Sequence, residues 1–114
     1  PMVTGNDRAE LFELQELSWD IHDPMWVMPL HRPYNSLLKS TIADCSNCAS
    51  KPQAGSITAA LFLDKFVDTD VKWFHLDIAG CERPEVAPGC LIGSSAFGIR
   101  ALFSFLREKV IENQ

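Results

Sequence analysis

The sequence predicts a layered α/β fold, and three observations support this prediction. Segments with helical spacing of apolar residues alternate along the chain with short apolar extended segments. Residues 73–79 form an almost continuous apolar run, which is typical of an internal strand of an α/β sheet. The chain contains 46% hydrophobic and 22% charged residues, as globular proteins do. Its 114 residues suffice for one modest domain and not for two.

The first predicted helix follows a short N-terminal segment. Residues 1–6 predict a turn and are neither a signal peptide nor an initiator sequence, a start that suits a piece of a longer polypeptide. Asn6 or Asp7 caps the helix, with Glu10 placed as in a capping box. The helix runs to about Ile21 and ends at Asp23-Pro24, because a residue before proline disfavours helical dihedral angles.

The middle of the chain predicts two short extended segments with a helical turn between them. Residues 26–28 and residues 41–45 are the extended segments, and Pro33 begins the turn that leads to Leu38. Residues 46–55 are rich in Ser, Asn, Lys, Pro and Gly and predict a loop.

The second half predicts helix, strand, loop and helix. Gly55-Ser56 begins a helix that is apolar around more than half of its circumference and reaches Val67. Residues 73–79 predict a strand, and residues 81–93 predict a loop with two prolines. The last helix runs from about Ser95 or Ala96 to Glu112.

Charge and hydropathy exclude two classes of partner. The net charge is −5, and the ten Lys and Arg residues are scattered, whereas a nucleic-acid or polybasic membrane site requires clustered positive charge. No apolar run approaches the roughly 20 residues that a membrane-spanning helix needs. We therefore expect neither a nucleic acid nor a membrane as a partner.

Four cysteines leave a metal or redox role open. Cys45 and Cys48 have the C-x-x-C spacing of a zinc knuckle or redox site, whereas Cys81 and Cys90 lack the second tight pair of a zinc ribbon. The aromatic and proline neighbours of a thioredoxin-like site are also missing. Four unrelated reduced thiols are the favoured interpretation, and they predict a cytoplasmic protein.

The candidate chemical residues do not form a recognisable catalytic motif. His75 and Asp77 project from the same face of a predicted strand. They could act as a metal ligand and an acid, but we favour a polar pair at a strand end. The stretch from Gly93 to Gly98 fails the nucleophile-elbow pattern, because Phe97 stands where glycine is required. A helix-starting turn fits it better.

Five blocks of residues, in order along the chain, resemble the leucyl (cytosol) aminopeptidase family. They match its acidic-Pro-x-Trp segment with Pro-Leu, its Ala-Asp-x-x-Asn stretch, its Gly-x-x-Thr-Ala-Ala-x-Phe-Leu helix, its Trp-x-His-Leu-Asp-Ile-Ala-Gly strand and its Gly-Val/Ile-Arg-x-Leu helix start. In this chain the blocks are Asp23-Pro24-Met25-Trp26 with Pro29-Leu30, Ile42-Ala43-Asp44 with Asn47, residues 54–63 with Phe66-Val67, residues 73–80, and residues 98–102.

The resemblance implies that residues 1–114 are the C-terminal portion of a three-layer α/β/α metallo-aminopeptidase catalytic domain. Such an enzyme is cytoplasmic and hexameric, acts on peptides and uses two divalent ions, zinc or manganese. The family's Asn-Thr-Asp-Ala-Glu-Gly-Arg signature and its earlier Lys- and Asp-bearing segment are absent here. We therefore assign no catalytic residue and no metal ligand to this segment, and we expect it to be inactive without the remainder of the aminopeptidase chain.

The resemblance also implies a substrate-binding role for Ser94 and Ser95. The family's Ala-Thr-Gly-Phe-Gly-Val-Arg pattern lines the pocket for the substrate side chain, and here residues 94–100 read Ser-Ser-Ala-Phe-Gly-Ile-Arg. A more polar wall at Ser94 alters the expected preference for Leu-like side chains. Two alternatives are a non-catalytic structural or interaction protein with the same fold and, more weakly, a small zinc-binding module.

Overall fold

The computed structural model describes residues 1–81 and 95–112. Their elements are β1 (Met2–Gly5), α1 (Arg8–Asp20), β2 (Trp26–Val27), a 3₁₀ helix (Arg32–Leu38), α2 (Gly55–Leu63), a short 3₁₀ helix (Asp64–Phe66), β3 (Phe74–Asp77) and α3 (Ile99–Glu112). The predicted α/β class is confirmed. None of the helices in these two stretches is both long enough and apolar enough to cross a membrane.

The three strands form one sheet in the order β2-β1-β3. β1 pairs in parallel with β2, where Val3 lies opposite Val27, and antiparallel with β3, where Val3 lies opposite Leu76. The turn predicted for residues 1–6 is therefore wrong, because residues 2–5 form the central strand of the described sheet. A four-residue segment that ends in glycine is too short to show the alternation of apolar and polar residues by which a strand is predicted. Gly5 is required, since a Cβ there would collide with the backbone of Trp73.

Helices cover both faces of this sheet, as expected of a three-layer arrangement. On one face α1 and α3 pack on the strands around a core of buried residues that share an apolar character: Val3, Leu11, Leu14, Met25, Ala101 and Phe105. On the other face α2 and the first 3₁₀ helix enclose a smaller core of Leu38, Ile57 and Leu61. Each core is stabilised by the removal of apolar surface from water, which contributes a free energy of about 25 cal/mol per Å² buried.

Several predicted boundaries move. Residues 41–44 are bends rather than an extended segment, and the predicted 73–79 strand shortens to Phe74–Asp77. Within the described part of the chain β3 pairs on one side only, where its apolar run predicted an internal strand. α3 begins at Ile99 instead of Ser95 or Ala96, because residues 97–98 form a turn. All of the predicted 81–93 loop beyond Cys81 lies outside the described residues.

Candidate functional site

The end of α1 sets the position of a buried carboxylate. The His22 amide donates to the Trp19 carbonyl over 3.1 Å, and the Asp23 amide donates to the Ser18 carbonyl over 2.8 Å. His22 has a φ of 58°. These two bonds and the left-handed residue form a Schellman motif, which usually places glycine where His22 stands. The motif reverses the chain and directs it toward the N-terminus of α3.

The Asp23 carboxylate caps α3 from a distance of 75 residues in sequence. Both of its oxygens accept from the Gly98 amide, over 3.1 and 3.0 Å, and Oδ2 also accepts from the Ala101 amide over 3.1 Å. Asp23 is only 1% exposed. Its negative charge lies at the positive end of the helix and satisfies amides that otherwise have no intrahelical partner. The sequence indicated Asp23 as the residue that ends α1 and as the acidic residue of the first family block, and it did not indicate the contact with α3.

The segment between Ser95 and Gly98, which we call the 95–98 turn, precedes that capped terminus. The half-buried Ser95 hydroxyl accepts from the Phe97 amide over 3.4 Å. Ala96 and Gly98 have φ angles of 54° and 87°. A Cβ at Gly98 would also press against Leu76 at 3.4 Å. Glycine adopts such angles freely, whereas the left-handed Ala96 is strained, so the turn depends on external support.

One of the two predicted substrate-binding serines lies among the described residues. Ser94 lies outside the described residues. Ser95 lies in the 95–98 turn and does not cap α3. Its hydroxyl accepts from the Phe97 amide, whereas α3 begins only at Ile99. Ala96 is exposed beside it, where the family pattern has glycine.

His75 and Asp77 lie on the α2 face of the sheet. The neighbouring Ser56 side chain, then the Ala79 amide and the charge of His75, lowers the pKa of Asp77 below its ordinary 3.8. The Ala79 amide lies 3.0 Å from Asp77 Oδ1. Opposite His75 is Thr4, whose Oγ1 is buried and has no hydrogen-bond partner among residues 1–81 and 95–112. These contacts agree with a polar pair at a strand end.

The described residues do not assemble a metal site. Within residues 1–81 and 95–112, no three His, Cys, Asp or Glu side chains lie together in a way that could hold an ion. Cys45, Cys48 and Cys81 are free thiols, and Cys90 is outside the described range. An open cleft of about 690 Å³ beside α2 is bordered by Asp44 and Cys45. One carboxylate and one thiol there do not provide the three or four ligands that zinc requires.

Comparison with known proteins gives one consistent family. Residues 2–103 match the model described as cytosol aminopeptidase family, catalytic domain. The chain is 41% identical over 104 residues to a probable cytosol aminopeptidase of Chlorobium luteolum, covering 91% of the chain and 20% of that protein. It is 40% identical over 90 residues to the cytosol aminopeptidase of Rickettsia prowazekii, covering 77% of the chain and 18% of that protein.

Solved structures agree with the sequence relatives. The cytosol aminopeptidase of Coxiella burnetii superposes with a TM-score of 0.85 at 38% identity, over 94% of this chain and 23% of that one. The bottromycin maturation enzyme BotP, in complex with Mn, superposes with a TM-score of 0.84 at 29% identity, over 94% of this chain and 24% of that one. The chain spans about a fifth of the length of the curated relatives it matches.

Proposed function

Because this chain belongs to the cytosol aminopeptidase family, we propose that it forms part of the catalytic domain of a metal-dependent aminopeptidase that releases N-terminal residues from peptides. The observation that carries the proposal is the match of residues 2–103 to the catalytic-domain model. The fold supports it, since the described elements superpose on the Coxiella burnetii enzyme with a TM-score of 0.85. We place the enzyme in the cytoplasm, as the names of its relatives suggest. We further propose that the complete enzyme is a hexamer, which the resemblance of the five sequence blocks to the family implies.

The role that we assign to this segment, residues 1–114, is scaffold and one wall of the substrate pocket. Two divalent ions, zinc or manganese, would activate the attacking water in the complete enzyme. The described residues do not fit those ions, because they hold no cluster of three candidate ligands. The remainder of an aminopeptidase chain would therefore supply the metal site, and we assign no catalytic step to this segment.

Ser94 and Ser95 are our candidates for the wall that contacts the substrate side chain. Ser95 supports this assignment by its half-buried position in a turn with exposed Ala96 next to it. A hydroxyl there favours a polar contact over the close apolar packing that a leucine side chain needs. The difference between a polar and an apolar pocket wall is worth about 1–3 kcal/mol in discrimination between substrates.

Two preparations test the proposal. The first is this chain alone, and the second is the Coxiella burnetii enzyme with its matching stretch replaced by this chain. We expect the isolated chain to release no leucine from leucine amide with manganese or zinc present. We expect the chimera to hydrolyse leucine amide, with loss of activity on chelation. The parent enzyme is the control for metal loading.

Three results would contradict parts of the proposal. Chelator-sensitive hydrolysis by the isolated chain would show that it carries its own metal site. A chimera that is folded by circular dichroism and loaded with metal, yet inactive, would favour a non-catalytic structural protein on the same fold. Zinc bound by the isolated chain and lost on Cys45→Ser substitution would favour the zinc-binding module.

A further inference from the structure

We propose that Asp23 is a positioning residue for substrate side-chain recognition, acting through the 95–98 turn. This inference rests on the proposed function, because it gives a role to a residue that supports the Ser95 wall. Within the described residues, the hydrogen-bond partners of the Asp23 carboxylate are Gly98 and Ala101 and do not include Ser95. Its carboxylate reaches the backbone at Gly98 and Ala101 and fixes where the turn ends.

The contact does the work of two capping groups with one side chain. In an ordinary capping box, one side chain bonds the amide of the third helical residue and another bonds the amide of the capping residue. Here Gly98 precedes the helix and its carbonyl accepts from the Leu102 amide over 2.9 Å. Asp23 serves the amides of both Gly98 and Ala101. One carboxylate therefore fixes both the turn and the first helical turn of α3.

The carboxylate is itself held in place. The Schellman motif at the end of α1 fixes the Asp23 backbone, and Arg100 Nη2 donates to the His22 carbonyl over 2.9 Å. The fully buried Ser18 hydroxyl bonds the Met25 amide over 2.9 Å and so holds the chain after Asp23, but it is not a partner of the carboxylate. The end of α1 and the start of α3 thus form one hydrogen-bonded unit around Asp23.

The 95–98 turn needs this support because its backbone is not intrinsically stable. Ala96 is left-handed without being glycine, and such a residue persists only where its surroundings over-determine the conformation. Ser95 is bonded to the Phe97 amide, adjacent to Gly98, so its hydroxyl moves with the turn. Loss of the Asp23 contact would shift the wall, and displacement of a binding group by about 1 Å is enough to change rates strongly.

The test compares Asp23→Asn with Ser18→Ala in the active chimera. Asparagine keeps the size of Asp23 but turns an NH₂ group toward backbone amides. Ser18→Ala removes a buried hydrogen bond beside Asp23 and leaves the contact with Gly98 intact. The substrates are leucine amide and glycine amide, because glycine has no side chain to meet the wall.

We expect Asp23→Asn to lower the ratio of kcat/KM for leucine amide to that for glycine amide by roughly tenfold or more, chiefly through KM. Ser18→Ala is expected to leave this ratio within about twofold, since it keeps the Asp23 backbone bond to the Ser18 carbonyl and both carboxylate contacts with α3. Hydrogen exchange at the Gly98 and Ala101 amides should accelerate in Asp23→Asn beyond that in Ser18→Ala. If Asp23→Asn does not fold, Asp23→Glu replaces it, because it keeps the charge and moves the acceptors by one methylene.

An unchanged substrate ratio in folded Asp23→Asn would overturn the inference, as would an equal change of the ratio in Ser18→Ala. Equal exchange rates at Gly98 in both variants would also overturn it, whatever the activity. An inactive but folded chimera with intact Asp23 would instead refute the proposed function, so the two failures are distinguishable.

Discussion

The N-termini of α2 and α3 are stabilised in different ways. α2 begins at Gly55 after the left-handed residue Ala54, and no side chain caps it. α3 begins at Ile99 after the left-handed residue Gly98, and the buried Asp23 carboxylate caps it. Both helices therefore follow a left-handed residue, but within the described residues only α3 receives a charged partner from elsewhere in the fold.

Apolar burial accounts for the difference. α2 buries Ile57, Ala60 and Leu61 within its nine residues, and packing alone can hold it. α3 buries only Ala101 and Phe105 of its fourteen residues. A row of its apolar side chains at helical spacing stays more than half exposed: Ile99, Phe103, Leu106 and Val110. With less buried area, α3 depends more on the polar contact at its N-terminus.

The largest predicted effect is that of Asp23→Ala. It removes an anion from the N-terminus of α3 and leaves two buried amides without an acceptor, at a cost of about 3 kcal/mol in the free energy of unfolding. The matched change at α2, Ser56→Ala, should cost about 1 kcal/mol or less, since it removes one neutral donor. Urea unfolding followed by circular dichroism measures both. Equal losses would mean that the two N-termini are supported alike.

Gly98→Ala is expected to have the next largest effect on the free energy of unfolding. The φ of 87° disfavours any side chain, and the new Cβ would lie 3.4 Å from Leu76 and 3.5 Å from Met25. We expect a loss of about 1–2 kcal/mol. Gly55→Ala is the control at α2, where nothing lies within 4 Å of the added Cβ, and it should be neutral or stabilising by about 0.5 kcal/mol. The same urea titration applies, and a tolerated Gly98→Ala would contradict the described backbone.

Substitution of the two left-handed alanines gives a smaller effect of opposite sign. Ala96 is exposed at a φ of 54°, so Ala96→Gly should stabilise by about 0.5–1 kcal/mol by relieving strain. Ala54 has a φ of 51° but packs against the Leu38 core, so Ala54→Gly should change stability by about zero. Thermal unfolding of the pair checks this. A destabilised Ala96→Gly would show that the alanine methyl group makes a contact of its own.

Local sequence signals predicted the parts of the fold that local physics determines. α1 was predictable because Asp7 accepts from the Glu10 amide as a capping residue should, and that bond is present at 3.2 Å. α2 was predictable from its apolar composition. β1 was missed because four residues carry too little periodicity, and its position is decided by partners 24 residues away in β2 and 69 to 75 residues away in β3.

The contact of Asp23 with Gly98 could not be read from the sequence for the same reason. An Asp-Pro pair signals the end of a helix, and nothing local tells a solvated carboxylate from one that caps a helix 75 residues later. The assignment of Ser95 came from resemblance to a family, not from its chemistry. Its role stays a prediction until substrate preference is measured.

The smallest predicted effect is a dependence on pH of the stability that Ser56 contributes at the N-terminus of α2. The Ser56 hydroxyl ties the first turn of α2 to Asp77 and lowers the pKa of that carboxyl below 3.8. A carboxyl whose pKa is lower in the folded state adds stability that is complete above its unfolded pKa and is lost as pH falls through the folded value. The gap in unfolding free energy between the unsubstituted chain and Ser56→Ala should therefore be constant above about pH 5 and shrink below pH 3.8. Urea unfolding from pH 6 to pH 2 measures it, and a gap that does not change with pH would mean that the Asp77 charge contributes nothing to the attachment of α2.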